Sequence, residues 1–174
     1  MFSIKVIQDK YFDMILNWRN SDFVRLNMKK NNKISKEDHL KWLDHINISN
    51  YFIFFQRKVP IGLGCLHDVN LRERSSFWGI YIGEPKVALP GAGALLYLSV
   101  LQIGFNLKNM DQMFSDVLSS NKGALGMQRT LLHSNGTFMK DFYRFSITKD
   151  EWSSIFLKNK KSINRIEIEI DNVS

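Results

Sequence analysis

Two stretches decide the fold: Ser76-Phe-Trp-Gly-Ile-Tyr-Ile82, and, after a short polar break, Leu89-Pro-Gly-Ala-Gly93. The first is dense in aromatic and β-branched residues and predicts a strand. The second leads directly into a long, mostly apolar segment that predicts a helix to about Leu107. Gly91 and Gly93 carry no Cβ, so the backbone amides between strand and helix can approach an anion closely. The first turn of the helix adds unpaired N–H groups and partial positive charge. Pro90 restricts the approach and removes no amide that the helix needs. The same spacing also suits an ordinary tight turn into a buried helix. It does not match a dinucleotide fingerprint, which would place a glycine at Leu96, and no Gly-Lys-Ser/Thr follows it as in an ATP-binding loop.

Working outward, Ile4–Ile7 predicts a first strand, and Tyr11, Met14, Ile15 and Trp18 repeat at helical spacing. A second helix starts near Ser35, with Asp38 placed to complete a capping box. Residues 23 to 33 between them have no clean period. Tyr51–Phe55 is a fully apolar strand candidate, Lys58–Pro60 a turn, and Ile61–Leu66 the start of the next strand. Beyond the long helix, Met113–Leu118 predicts a strand, Asn121 to about Leu131 a helix, and Lys140–Ile147 a strand. Glu151 and Trp152 open a last short helix. The alternating tail, 163–170, is compatible with an edge strand. This order predicts a mixed α/β sheet, antiparallel first and partly parallel later.

A chain of 174 residues supports one sizeable core. The single cysteine, Cys65, cannot form an internal disulfide, and its strand setting suits a buried small hydrophobe better than a nucleophile. The N-terminus lacks a signal-peptide pattern, and the apolar helix is interrupted by Tyr97, Ser99, Gln102 and Asn106, so a soluble cytoplasmic protein without membrane partners is expected. A net charge of +7 suits anionic ligands. The cations are spread along the chain without interleaved aromatics, which favours a phosphorylated small molecule over nucleic acid.

Taken together, the element order and the turn resemble the GNAT superfamily of acetyl-CoA-dependent N-acetyltransferases. Its signature, Gln/Arg-x-x-Gly-x-Gly/Ala, maps on to Ala88-Leu-Pro-Gly-Ala-Gly93 with the first position departing. Within it, several stretches look like the flagellar amino-sugar acetyltransferase branch. That branch acetylates the 4-amino group of a UDP-linked 4-amino-4,6-dideoxy-N-acetyl-altrosamine on the way to pseudaminic acid. The stretches are Trp18-Arg-Asn20, Val24-Arg25 through Met28, His39-x-x-Trp42, Trp78–Gly83, Ala88–Gly93 and Phe145–Trp152. The resemblance implies a domain over residues 1–158 with a tail over 159–174. It also implies a central sheet of six to seven strands that splays between the fourth and fifth, with helices on both faces.

The resemblance further implies acetyl-CoA as co-substrate, no metal, a UDP-amino-sugar acceptor, and leaves a homodimer open. The coenzyme would be held by Ile80, Ile82, Leu89, Gly91, Ala92, Gly93, Ala94, Asn121 and Arg129. The acceptor would meet Trp18, Arg19, Asn20, Arg25, Met28, His39 and Trp42. Guanidinium groups match phosphates, and an indole can stack on a uracil or sugar face. Both tryptophans also lie on apolar helix faces, where a core role is equally open.

Family members place a tyrosine or histidine seven positions after the asparagine that opens the later helix; here Asn121 leads to Gln128. Glutamine can hydrogen-bond but does not deliver a proton. Tyr81, His67 and His133 are then the candidates for proton steps. His67 neighbours Asp68, but adjacent strand residues point to opposite faces, so no dyad is expected. The stretch Leu131–Gly136 also runs almost directly into the last strand, which shortens the family's sixth strand. Acetylation of a protein N-terminus or another small amine stays open as an alternative, and these two departures also keep open an acetyl-CoA-binding protein without catalysis.

Overall fold

The computed structural model describes residues 1–170. One sheet of eight strands forms its centre, in the order β6-β7-β5-β4-β3-β2-β1-β8. The strands are β1 (Phe2–Val6), β2 (Tyr51–Gln56), β3 (Val59–Asn70), β4 (Ser75–Ile82), β5 (Gln112–Leu118), β6 (Thr137–Phe138), β7 (Phe142–Thr148) and β8 (Ile166–Glu169). The helices are α1 (Phe12–Asn20), α2 (Asp22–Arg25), α3 (Lys36–His45), α4 (Ala92–Gln102), α5 (Lys122–Leu132) and α6 (Lys149–Ile163). Among the described residues, pairing is parallel only for β4 with β5 and β1 with β8.

Both faces of the sheet are covered, which explains why β2 is apolar at successive positions. Phe52 and Phe54 join one core with α4, α5 and α6, and Ile53 and Phe55 join a second core with Ile15 and Trp18 of α1. Helices thus lie on both faces, as expected. The sheet exceeds the expected six to seven strands because a short strand is added at each edge. Thr137–Phe138 pairs with β7, and Ile166–Glu169 pairs with β1, burying Ile166 while Lys5 bridges Glu169 at 2.6 Å.

Three boundaries depart from the sequence reading. The β2–β3 turn is Arg57-Lys58, both left-handed (φ 50° and 69°), which is the primed geometry that matches strand twist. Pro60 belongs to β3, opposite Phe55 where the register shifts, a position at which a missing N–H is tolerated. The last helix is 15 residues rather than short, begun by a complete Thr148–Glu151 capping box. It runs unbroken through 158 and 159, where the sequence suggested that a tail begins. Residues 171–174 of that tail lie outside the described residues. At Ser35 only half of the expected box forms: its Oγ accepts from the Asp38 amide, and the Asp38 carboxylate takes the Ser35 hydroxyl.

Candidate functional site

The parallel pairing of β4 with β5 covers only Ser75–Phe77 against Gln112–Phe114. Beyond Phe77 and Phe114 the strands part, so the backbone of Trp78–Ile82 faces a gap instead of a ladder. The splay expected between the fourth and fifth strands is therefore present. At its open end stands the start of α4. Gly91 has φ +86°, a left-handed conformation that a side chain would strain, and a Cβ there would meet no atom within 4 Å. The first intrahelical bond is from Leu95 N–H to Gly91 O, so the amides of Gly93 and Ala94 have no carbonyl one turn back. Open space plus unclaimed N–H donors at a helix N-terminus is what a pyrophosphate requires.

The loop entering this turn is held by a residue that the sequence did not single out. Gln56, at the end of β2, donates from Nε2 to Val87 O at 2.9 Å and accepts the Leu89 N–H on Oε1 at 2.8 Å. Leu89 N–H is thus occupied, and its carbonyl takes the Ala92 N–H. Ala92 is buried against the sheet. Ile80 and Ile82 pack on the α4 face, leaving their backbone along the gap. Asn121 caps α5 by accepting the Ala124 N–H at 3.0 Å, and Arg129 is exposed, over the Tyr143 ring.

The opposite face of the sheet carries α1–α3. Trp18 is 4% exposed and packs in the core there, edge-on to Tyr81, with its indole N–H donated to Glu84 Oε1 at 2.8 Å. His39 is also buried; it stacks on Trp42 and bonds the Phe12 carbonyl at 3.0 Å, tying α3 to α1. Burial holds its pKa below the usual histidine range. Trp42 is half-buried, edge-on to Tyr51. Arg19, Asn20 and Arg25 all serve the irregular segment after α2. They donate to the carbonyls of Lys30, Ile34 and Asn31 respectively, because a loop without its own ladder needs side-chain donors. Met28 lies half-buried in that segment. Arg19 keeps one nitrogen, Nη1, that is buried and has no partner. Its charge is felt by Tyr81, so the two groups share one environment.

The structure does not bring the two expected proton-transfer residues together. His67 faces Phe77 and Tyr81 faces Leu63 in the β3–β4 register, four residues apart, or about 13 Å along the strand. Burial raises the Tyr81 pKa far above its ordinary value, which keeps the phenol protonated. His67 does bond Asp68, at 2.9 Å, contrary to the alternation expected of a regular strand. Asp68 is left-handed (φ 49°) where the β3–β4 register shifts, and this bulge swings both side chains to one side. His133 is the left-handed cap residue ending α5 and is exposed. Burial pushes the Cys65 thiol up to about 12, in keeping with a packed thiol and not a nucleophile.

A charged cluster stands beside the gap on the α1–α3 face. Arg144 makes a bidentate pair with Asp116 at 2.8 Å, and Lys29 reaches the same carboxylate at 2.7 Å. Asp116 is the one acid of β5, which was a readable signal; the partners from distant segments were not. No helix among the described residues is long and apolar enough to cross a membrane.

No protein-family model matches the chain, and no curated protein matches its sequence. Solved structures do match. An apo structure of FdhC, a nucleotide-linked sugar GNAT, superposes with a TM-score of 0.77 at 17% identity, over 93% of this chain and 94% of that one. Spermidine N-acetyltransferase from Vibrio cholerae, in complex with CoA and spermine, gives 0.71 at 20% identity, over 87% and 98%. The Campylobacter jejuni N-acetyltransferase PseH gives 0.62 at 21% identity, over 84% and 97%. The fold of this chain is the fold of these acetyltransferases.

Proposed function

We propose that the chain is an N-acetyltransferase that moves acetyl from acetyl-CoA to the 4-amino group of a UDP-linked 4-amino-4,6-dideoxy-N-acetylhexosamine. The amides of Gly93 and Ala94, with the turn at Gly91 and Ala92, hold the coenzyme pyrophosphate. The β4 backbone at Ile80 and Ile82 aligns the pantetheine arm and polarises the thioester carbonyl. Asn121 and Arg129 stand at the far helix, near the nucleotide end. The amine attacks the carbonyl directly from the α1–α3 side, so positioning supplies much of the acceleration.

The acceptor class rests on one observation: the charge balance of the α1–α3 side. Arg19 keeps a buried guanidinium N–H without a partner there, while the carboxylate of Asp116 is taken by Lys29 and Arg144. A polyamine needs free carboxylates, and a nucleoside diphosphate needs cations with free N–H groups. This balance favours the nucleotide sugar, and likeness to a nucleotide-linked sugar GNAT is in line with it. Calorimetry with acetyl-CoA followed by a thiol-release assay tests the reading. Turnover is expected with a UDP-4-amino-sugar and not with spermidine. Turnover of spermidine alone would overturn the acceptor assignment, and failure to bind acetyl-CoA would overturn the whole.

A further inference from the structure

Gln128 stands where a tyrosine or histidine would supply a proton, and the structure shows what it does there. Tyr97, fully buried in the middle of α4, donates its hydroxyl to Gln128 Oε1 at 3.5 Å. Gln128 Nε2 in turn donates to Ser115 Oγ at 2.8 Å. The order of this chain is set by chemistry, because an amide oxygen only accepts and an amide nitrogen only donates. Ser115 Oγ therefore receives a bond, and its own O–H is directed elsewhere. Ser115 directly follows Phe114, the last β5 residue paired with β4, so this hydroxyl sits where the gap opens. Burial keeps the Tyr97 phenol protonated, so its hydroxyl retains the proton that it donates to Gln128 Oε1.

We propose that the Ser115 hydroxyl, oriented by Gln128 and Tyr97, donates a hydrogen bond to the thiolate sulfur released from the coenzyme. The proposal rests on acetyl-CoA occupying the gap. In the reaction the amine nitrogen bonds to the thioester carbon, the C–S bond breaks, and its electron pair passes to sulfur. The surplus proton on nitrogen leaves to water, and Ser115 keeps its own. No acid is needed at position 128, because a thiol with a pKa of about 8.5 is already a competent leaving group once its anion is stabilised. Ser115 touches the reacting atom; Gln128 and Tyr97 are positioning residues. Ser76, on β4 and the same face, is the competing hydroxyl, since its Oγ is buried without a partner.

The test uses free coenzyme A as probe and does not depend on knowing the acceptor. The ultraviolet absorbance of the bound thiolate is titrated in wild type, Ser115→Ala, Ser115→Thr, Tyr97→Phe and Ser76→Ala, each checked for folding by thermal denaturation. The wild type holds the bound thiol below its free pKa. Ser115→Ala raises it by about one unit, the size of one hydrogen bond to a charged group. Ser115→Thr restores it, Tyr97→Phe gives a smaller rise, and Ser76→Ala changes nothing. Equal thiol pKa values in bound wild type and Ser115→Ala would overturn the proposal, as would a shift confined to Ser76→Ala. Failure of wild type to bind coenzyme A would instead overturn the underlying coenzyme reading, and this proposal with it.

Discussion

The Trp18 indole occupies the space that a side chain at position 83 would need. A Cβ built on Gly83 would fall among the indole atoms Cγ, Cδ2 and Cε2. The glycine that ends the decisive strand motif is thus required by packing between α1 and the sheet, and φ plays no part in it. The indole N–H, taken by Glu84 one residue later, locks the same corner. Gly83→Ala forces the helix or the strand to shift and should cost about 1–3 kcal/mol as overpacking. Urea denaturation of the variant measures this; an unchanged midpoint would show that the corner relaxes freely.

Gly91 is required for the other reason. A Cβ there meets nothing, so only the left-handed φ resists a side chain. Gly91→Ala should lose about 1–2 kcal/mol of stability. Gly91→Asp loses less, because a carboxylate at the N-cap favours the helix, yet it places negative charge where the pyrophosphate sits. Calorimetry with acetyl-CoA should therefore rank affinity as wild type, then alanine, then aspartate with no measurable binding, opposite to the stability order of the two variants. Affinity that followed stability would make the turn structural only.

The unpartnered Nη1 of Arg19 predicts an effect on the acceptor alone. Burial lowers the Arg19 pKa but leaves it charged, and its other nitrogen already serves the Lys30 carbonyl. Arg19→Ala should raise the acceptor KM about 10- to 100-fold, the worth of a hydrogen bond to a charged group, with the acetyl-CoA KM unchanged. Arg25→Ala removes a similar clamp, to Asn31, without an orphaned nitrogen. Steady-state kinetics that moved equally in both variants would assign Arg19 to the loop only.

Asp116 makes a prediction in pH. Burial alone would raise its pKa, but hydrogen bonds and charge from Arg144 and Lys29 outweigh this and hold it below the usual carboxylate range. A folded pKa below the unfolded one means stability that is present above the unfolded value, about 3.9, and lost as pH falls through the folded value. Asp116→Asn should cost about 1 kcal/mol at neutral pH, since both cations are substantially exposed. It should also flatten the fall in stability below about pH 4. Thermal melts of both proteins between acid and neutral pH measure the difference; parallel curves would refute the linkage.

The strands and main helices were legible because local signals agree: aromatic runs, helical periods and a cap such as Ser35 all lie within a few residues of one another. The turn at Gly91 was legible for the same reason. The His67–Asp68 bond was not, because alternation presumes a regular strand and one bulge reverses it. Side-chain type does not reveal burial: Trp18 and His39, which the resemblance offers as acceptor residues, are both packed in the interior and hydrogen-bonded within the protein.

The sequence by itself determined the decisive order of strand, glycine turn and apolar helix, since each part is fixed by backbone conformation and short-range periodicity. Only the tertiary structure decided which groups face the gap. Tyr97, Gln128 and Ser115 meet from three elements, and Lys29, Asp116 and Arg144 from three segments, with β5 common to both groups. Those meetings depend on sheet register and on helices packed across it, which are long-range properties that no local pattern encodes. The strand that carries Trp78 to Ile82 was readable as a strand; that it parts from its neighbour after Phe77 was a consequence of the whole sheet.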